Sequence, residues 1–355
     1  MQIAIRYSGL IIEPDGSVGG HGAGDTLVRR LLRVFPGAQL VGPRTHRYRD
    51  FDVAPIELID VENTLVINMD VIDSTAVWQT MRDNSPTGAT PKLMNFMWWN
   101  WTRHDSDVEL ATLSLSCALF PTFANSERTA KAIREYVARW TVQRLAERAE
   151  VEWVNLGIRL EHVQPRHEPE RPQILYPAIY MSERKRPQLF IDVVSRVAKR
   201  GRPPVQVVAR LVEPHLVSPQ AMSLSRNKWA WVGPLTPSRQ QYWEALAGTT
   251  AFLATAREET YGLEYIEALL AGAIGVFPDL PWARAILPTD YPFFYNTPTE
   301  AEALLLRAVT DTAACRQELD AAAGGSLVDW LSETHNEDAF ETAIAKQVRA
   351  WFPDR

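Results

Sequence analysis

Short apolar runs alternate along this chain with stretches of helical spacing. Runs at residues 1–7, Gln39–Val41, 64–69, 92–98, 118–122, 151–158, 173–178, 205–209, 229–234, 249–254, 273–277 and 293–296 predict buried strands. Between them, Leu27, Leu31 and Val34 predict a helix over 26–34, capped by Asp25. The same spacing predicts helices over 130–140 (capped by Ser126), 188–199, Arg239–Ala247 (capped by Ser238), 263–270, 298–319 and Glu337–Trp351. In the last of these, Phe340, Ile344, Val348 and Trp351 form an apolar face. Strand-helix alternation of this kind predicts an α/β chain with open parallel sheets. The 355 residues suffice for two domains, and the polar, Pro- and His-bearing segment 162–171 reads as a linker. The expected division is 1–165, 166–335 and a terminal helix in 336–355.

One stretch concentrates chemistry. After the strand at 249–254, Glu259 falls on a strand-to-helix turn, Gly262 opens a helix with Leu263, Ile266, Leu269 and Leu270 on one face, and Gly272 stops it. In an open parallel sheet such a turn lies at the carboxyl ends of the strands, where ligands bind. A helix start offers free N–H groups to a phosphate. Glu259 and Glu267 can accept hydrogen bonds from hydroxyls of a sugar or ribose. Spacing alone also fits a solvated helix face for Glu264 and Glu267.

The full string is Glu259, Gly262, Leu263, Glu267, Ala268 and Ala271-Gly272. It resembles the signature of the family 4 type of retaining glycosyltransferases. That resemblance implies the GT-B fold, with two Rossmann-like domains facing each other across a cleft and the last helix crossing back. It implies that Glu259 contacts the donor sugar, that Glu267 holds the nucleotide ribose, and that Tyr261, Gly262 and Leu263 receive the diphosphate. Element order from about 151 to 296 matches the family; the first half matches mainly in layout. Pro177-Ala178, the cationic run ending in Pro187, and the run Phe293-Phe294-Tyr295-Asn296 bear a weak further resemblance to mannosyltransferases related to the tRNA-queuosine enzyme.

Other stretches take their meaning beside this one. The loop from Gly16 to Gly24 suggests a dinucleotide fingerprint, but Asp25 stands where its last glycine is needed, and the strand Gln39–Val41 ends without an acidic residue. Gly19-Gly20 instead match the family's glycine pair, which lets backbone approach donor phosphate or acceptor, with His21 beside it; a tight turn would need the same glycines. Arg184, Lys185 and Arg186 follow the strand at 173–178, where the family uses an arginine and a lysine to neutralise the leaving diphosphate. Arg184 or Lys185 fills the lysine-like place, and Ile179 stands at the arginine-like one. Arg210 is another source of that charge. Trp98, Trp99 and Trp101 cluster after the strand at 92–98, where an indole face suits a sugar or the core. Where many family members carry a histidine, this chain has Trp99 or Asn100, with His104 a few residues on. Asp70 and Asp73 suit helix capping better than a metal pair.

Composition narrows the function classes. With 46% hydrophobic and 23% charged residues the chain is ordinary for a globular protein, and a net charge of −6 gives no general attraction for nucleic acid or an anionic membrane. Cys117 and Cys315 are too few for a disulfide framework or a zinc site. No apolar run reaches the length of a membrane span and no signal-peptide pattern opens the chain. The expectation is a cytoplasmic enzyme that moves a hexose, mannose before glucose, from a nucleoside-diphosphate sugar to a carbohydrate acceptor hydroxyl. No cofactor, no essential metal and no nucleic-acid partner are expected, and oligomeric state is not readable. The rival readings are a nucleotide-sugar epimerase of the same fold and a non-catalytic nucleotide-sugar binder.

Overall fold

The computed structural model describes residues 1–99, 101, 106–200 and 203–353. Two compact units divide the chain: Met1–Asn155 with Asp338–Arg355, and Leu156–Glu337. The sequence placed that first boundary later, at 165.

The first unit is built on an eight-stranded sheet. Its strands are β1 (Gln2–Arg6), β2 (Gln39–Val41), β3 (His46–Arg47), β4 (Asp52–Ala54), β5 (Thr64–Asn68), β6 (Lys92–Met97), β7 (Thr122–Ala124) and β8 (Val151–Trp153). They lie in the order β3-β4-β2-β1-β5-β6-β7-β8. Every pairing is parallel except β3 with β4. All five residues of β5 are buried, as a central strand covered on both faces requires. The helix Glu337–Trp351 packs on this sheet: Phe340 meets Phe96 with ring centroids 6.1 Å apart, and Trp351 meets Phe123 at 6.5 Å.

In the second unit, β9 (Gln173–Tyr176), β10 (Gln206–Leu211), β11 (Ala230–Pro234), β12 (Ala251–Leu253), β13 (Ile274–Pro278) and β14 (Phe294–Tyr295) form a wholly parallel sheet. Its order is β11-β10-β9-β12-β13-β14. The chain winds one way from β9 and the other way from β12, so the order reverses between these two strands. In the first sheet the reversal falls between β1 and β5. Such switch points leave a crevice at the carboxyl ends of the strands.

Several expectations need correction. The first helix is Ala23–Val34, capped by Gly22, and Asp25 lies inside its first turn, where its Oδ2 accepts the Gly22 N–H at 2.9 Å. The run at 118–122 is not a strand: the helix Asp107–Leu119 takes its start and β7 begins only at Thr122. Short apolar runs do not distinguish the two by periodicity. The expected helix over 298–319 breaks at Asp311 into Pro298–Thr310 and Thr312–Ala322, and a further helix, Leu327–Thr334, follows. Asp70 and Asp73 make no side-chain cap. Both carboxylates bind Arg6 at the first switch point, at 3.2 Å and 2.7 Å. Ser126 and Ser238 do cap their helices, accepting from the N–H groups of Thr129 and Gln241. Among the described residues no helix is long and apolar enough to cross a membrane.

Candidate active site

The loops leaving β9 and β12 meet at the second switch point. The β9 loop makes a single 3₁₀ turn, Glu183–Lys185, closed by Arg186 in the left-handed region at φ 49°. The β12 loop ties to it twice: Thr255 Oγ1 donates to the Lys185 carbonyl at 2.6 Å, and the Arg257 N–H to the Arg184 carbonyl at 3.0 Å. These bonds fix Lys185 against Glu259. Its buried ammonium donates to Glu259 Oε1 and, at 2.6 Å, to Glu264 Oε1. Tyr265 OH donates to the same Glu259 oxygen at 3.1 Å.

A cation thus sits between two carboxylates with little water. Burial opposes the charge on Lys185, but Glu264 and Glu259 outweigh it and hold the amine above its ordinary range. Burial pushes the Glu259 carboxyl up against the pull of Lys185. The Tyr265 phenol is driven far up by burial and by the charge of Glu259, so it remains a donor. Arg184 stays partly exposed, 3.9 Å from Glu259 Oε2.

Gly262 links this cluster to the helix Leu263–Leu270. It is the N-cap, at φ 93° and ψ 47°, and a Cβ there would lie 2.7 Å from Tyr265 Cδ2. Only glycine fits both the backbone angle and the space. Gly272 stops the helix as expected, at φ 83°. Tyr261, just before the cap, is anchored from below: its hydroxyl lies 2.6 Å from Nδ1 of the buried His335.

Glu267 is buried inside the helix and does not coat a solvated face. Each carboxylate oxygen has a partner on the helix Arg239–Ala247: Arg239 donates to Oε1, and Tyr242 OH to Oε2 at 2.6 Å. Burial works against the Arg239 charge, but Glu267 more than compensates and raises its pKa. Burial and the same carboxylate hold the Tyr242 phenol well above its usual range. The guanidinium also lies 4.9 Å from the Tyr242 ring centroid.

The first unit holds the remaining candidates. Gly20 lies at φ 84° with Asp25 packed against it, and Arg29 donates to the carbonyls of Val18, Gly19 and Gly20 at 2.9, 3.1 and 3.1 Å. The glycine loop is therefore braced from behind by an arginine, while His21 is exposed. The tryptophans correct an expectation. Trp101 is 2% exposed and stacks on Tyr136 at 4.6 Å, and Trp99 is buried in the same core cluster. Their indole faces are taken by protein, not open to a sugar. Asn100 and His104 lie outside the described residues.

Sequence reasoning placed Glu264 only on a solvated helix face and missed Tyr265, Arg239, Tyr242 and His335. A signal existed for one pair: Arg239 and Tyr242 stand three apart on a helix whose Ser238 cap was legible, so they share a face. Nothing local marked Glu264 or His335, whose partners are distant in sequence. Among the described residues no three His, Cys, Asp or Glu side chains converge as metal ligands.

No protein-family model matches the chain. No curated protein matches it by sequence. Solved structures do match in backbone. Sucrose-phosphate synthase from Thermosynechococcus elongatus superimposes with a TM-score of 0.70 at 12% identity, over 99% of each chain. The fold is GT-B. Trehalose-6-phosphate synthase is similar at TM-score 0.69 and 9% identity, over 98% of this chain and 99% of that one. Anabaena HepE, solved in complex with UDP-glucose, gives 0.69 and 13%, over 99% and 100%.

Proposed function

We propose that the protein is a retaining glycosyltransferase that moves a hexose from a nucleoside-diphosphate sugar to a hydroxyl of a carbohydrate acceptor. One observation supports this above the rest. Lys185, Glu259 and Glu264 converge at the switch point of the second sheet, beside a glycine-capped helix start, and the same helix carries a buried, fully partnered Glu267.

In this reading the diphosphate lies at the helix start, where the free N–H groups and the cations Arg184 and Lys185 stabilise the charge that grows as the bond from the anomeric carbon to phosphate oxygen breaks. Glu259, held by Lys185 and Tyr265, accepts from donor sugar hydroxyls. Glu267, oriented by Arg239 and Tyr242, accepts from the ribose. The acceptor oxygen bonds to the anomeric carbon on the face the phosphate leaves, and its proton passes to the departing phosphate. No side chain is assigned as general base and no metal is required.

The donor hexose divides two lines of support. The weak mannosyltransferase resemblance favours mannose from GDP-mannose. The UDP-glucose complex of HepE favours glucose from UDP-glucose, and carries more weight because it covers the whole chain. A thermal-shift panel of UDP, GDP and their sugars, followed by product analysis with candidate glycans, tests the proposal. Donor-dependent stabilisation with glycoside formation is expected. Release of free sugar isomers would make the protein an epimerase, and binding without turnover a sensor.

A further inference from the structure

Lys185 already has two anions against it. Its ammonium donates to Glu259 and to Glu264, the latter at 2.6 Å, and lies 5.4 Å from the Tyr265 ring centroid. The lysine side chain is only 8% exposed. A phosphate that comes to rest on this ammonium must therefore displace a carboxylate.

The two carboxylates are not held equally. Glu259 is buried, accepts a second bond from Tyr265 OH at 3.1 Å and has Arg184 3.9 Å away. The Glu264 side chain is 34% exposed, and Lys185 is its one side-chain partner among the described residues. Glu264 can turn into water by giving up that bond, whereas Glu259 is enclosed. Glu264 also sits where an anion belongs. It is the second residue of the helix Leu263–Leu270, in the first turn after the Gly262 cap, where free N–H groups and the macrodipole favour negative charge. Burial works against the charge on Lys185, and Glu264 is the strongest attraction opposing that effect. A carboxylate of the chain itself thus has the two contacts assigned above to the diphosphate, a lysine and a helix start. Arg184 and Lys185 are balanced by Glu259 and Glu264, so these four offer a diphosphate net positive charge only once Glu264 has turned away.

We infer that Glu264 is a built-in competitor of the donor: its carboxylate stands in for a donor phosphate on Lys185, and the diphosphate binds by displacing it. Glu264 thereby sets donor affinity and reserves Lys185 for ligands with enough negative charge to take its place. The inference deepens the transferase reading and rests on it for the word donor.

Calorimetric titration of the full chain with UDP, GDP, uridine, guanosine and inorganic pyrophosphate tests it, in the parent, Glu264→Gln and Glu264→Ala. Both variants leave Lys185 paired with Glu259. Each should bind the preferred nucleoside diphosphate roughly tenfold more tightly than the parent does, because one like charge is gone. Pyrophosphate should tighten as well, and the matching uncharged nucleoside should not. The direction of the change is diagnostic: loss of a merely structural contact would weaken binding, and only removal of a competitor strengthens it. Diphosphate affinity that rises in neither variant, or a nucleoside that tightens as much as its diphosphate, would overturn the inference and leave the transferase reading standing. Pyrophosphate binding that tightens in both variants without any nucleotide binding would keep Glu264 as the competitor of a phosphate on Lys185 and remove the transferase reading instead.

Discussion

Tyr242 donates its phenolic hydrogen to Glu267 Oε2 at 2.6 Å, from a helix that also supplies Arg239 to the other oxygen. The carboxylate is therefore aimed before any ligand arrives. A hydrogen bond to a charged acceptor contributes about 1.5–3 kcal/mol. Removing this one in Tyr242→Phe should weaken nucleoside-diphosphate affinity by roughly tenfold. Glu267→Gln should weaken it further, and turnover at saturating donor should fall far less in both. Calorimetric Kd values with steady-state kcat check this. Unchanged nucleotide affinity in both variants removes Glu267 from the donor site.

Lys185 raises a different expectation, because its role mixes folding with chemistry. Breaking a buried ion pair by deleting one partner costs about 3–5 kcal/mol, since the other charge stays buried. Lys185→Met should destabilise the second unit by that order in urea unfolding. Adding Glu259→Gln should recover much of the loss while leaving turnover absent. Glu259→Gln alone should cut kcat with little change in nucleotide Kd. A Lys185→Met protein as stable as the parent would show that the pair is not a buried one.

How much of this was legible depended on sequence distance. Glu259, Gly262 and Glu267 lie within one strand-turn-helix, so local periodicity placed them on adjoining elements, while their roles came only from the resemblance of the whole string. Lys185 was visible only as one of three cations, because its burial depends on Thr255 and Glu264, which are far along the chain. The Ser126 and Ser238 caps were readable for the same local reason. Asp25 was misplaced by one turn, because a glycine cap leaves no polar side chain to mark the helix start. The tryptophans failed for another reason: an indole suited to a sugar is equally suited to a core, and only packing against Tyr136 decided Trp101.

Gly262→Ala isolates the backbone contribution. A non-glycine residue in the left-handed region costs roughly 1–2 kcal/mol. At Gly262 the added Cβ also meets Tyr265 Cδ2 at 2.7 Å, whereas Gly88, at φ 70°, has nothing within 4 Å. Gly262→Ala should therefore cost more stability than Gly88→Ala in parallel urea titrations, and it alone should weaken UDP binding. Equal costs with unaltered UDP affinity in both would mean that the helix start tolerates a side chain and does not shape the phosphate site.

His335 gives the fold an acid-sensitive point beneath the same loop. The Ile286 carbonyl, 3.2 Å from Nε2, can only accept, so that nitrogen carries the hydrogen and Nδ1 accepts from Tyr261 OH. Protonating Nδ1 would reverse that bond, turning the Tyr261 hydroxyl from donor to acceptor, and would bury a charge. Burial accordingly lowers the pKa from 6.5 to about 4. The unfolded chain binds this proton first, so the stabilisation from a neutral His335 is complete above pH 6.5 and is lost as pH falls toward 4. The loss amounts to roughly 3 kcal/mol. Urea unfolding between pH 4 and 7 should show stability falling with acidity. His335→Asn, less stable at neutral pH, should show a flatter dependence across that interval. Because Tyr261 leads directly into Gly262, UDP affinity of the parent should decline over the same range. An identical pH slope in the variant would place the acid sensitivity on other groups.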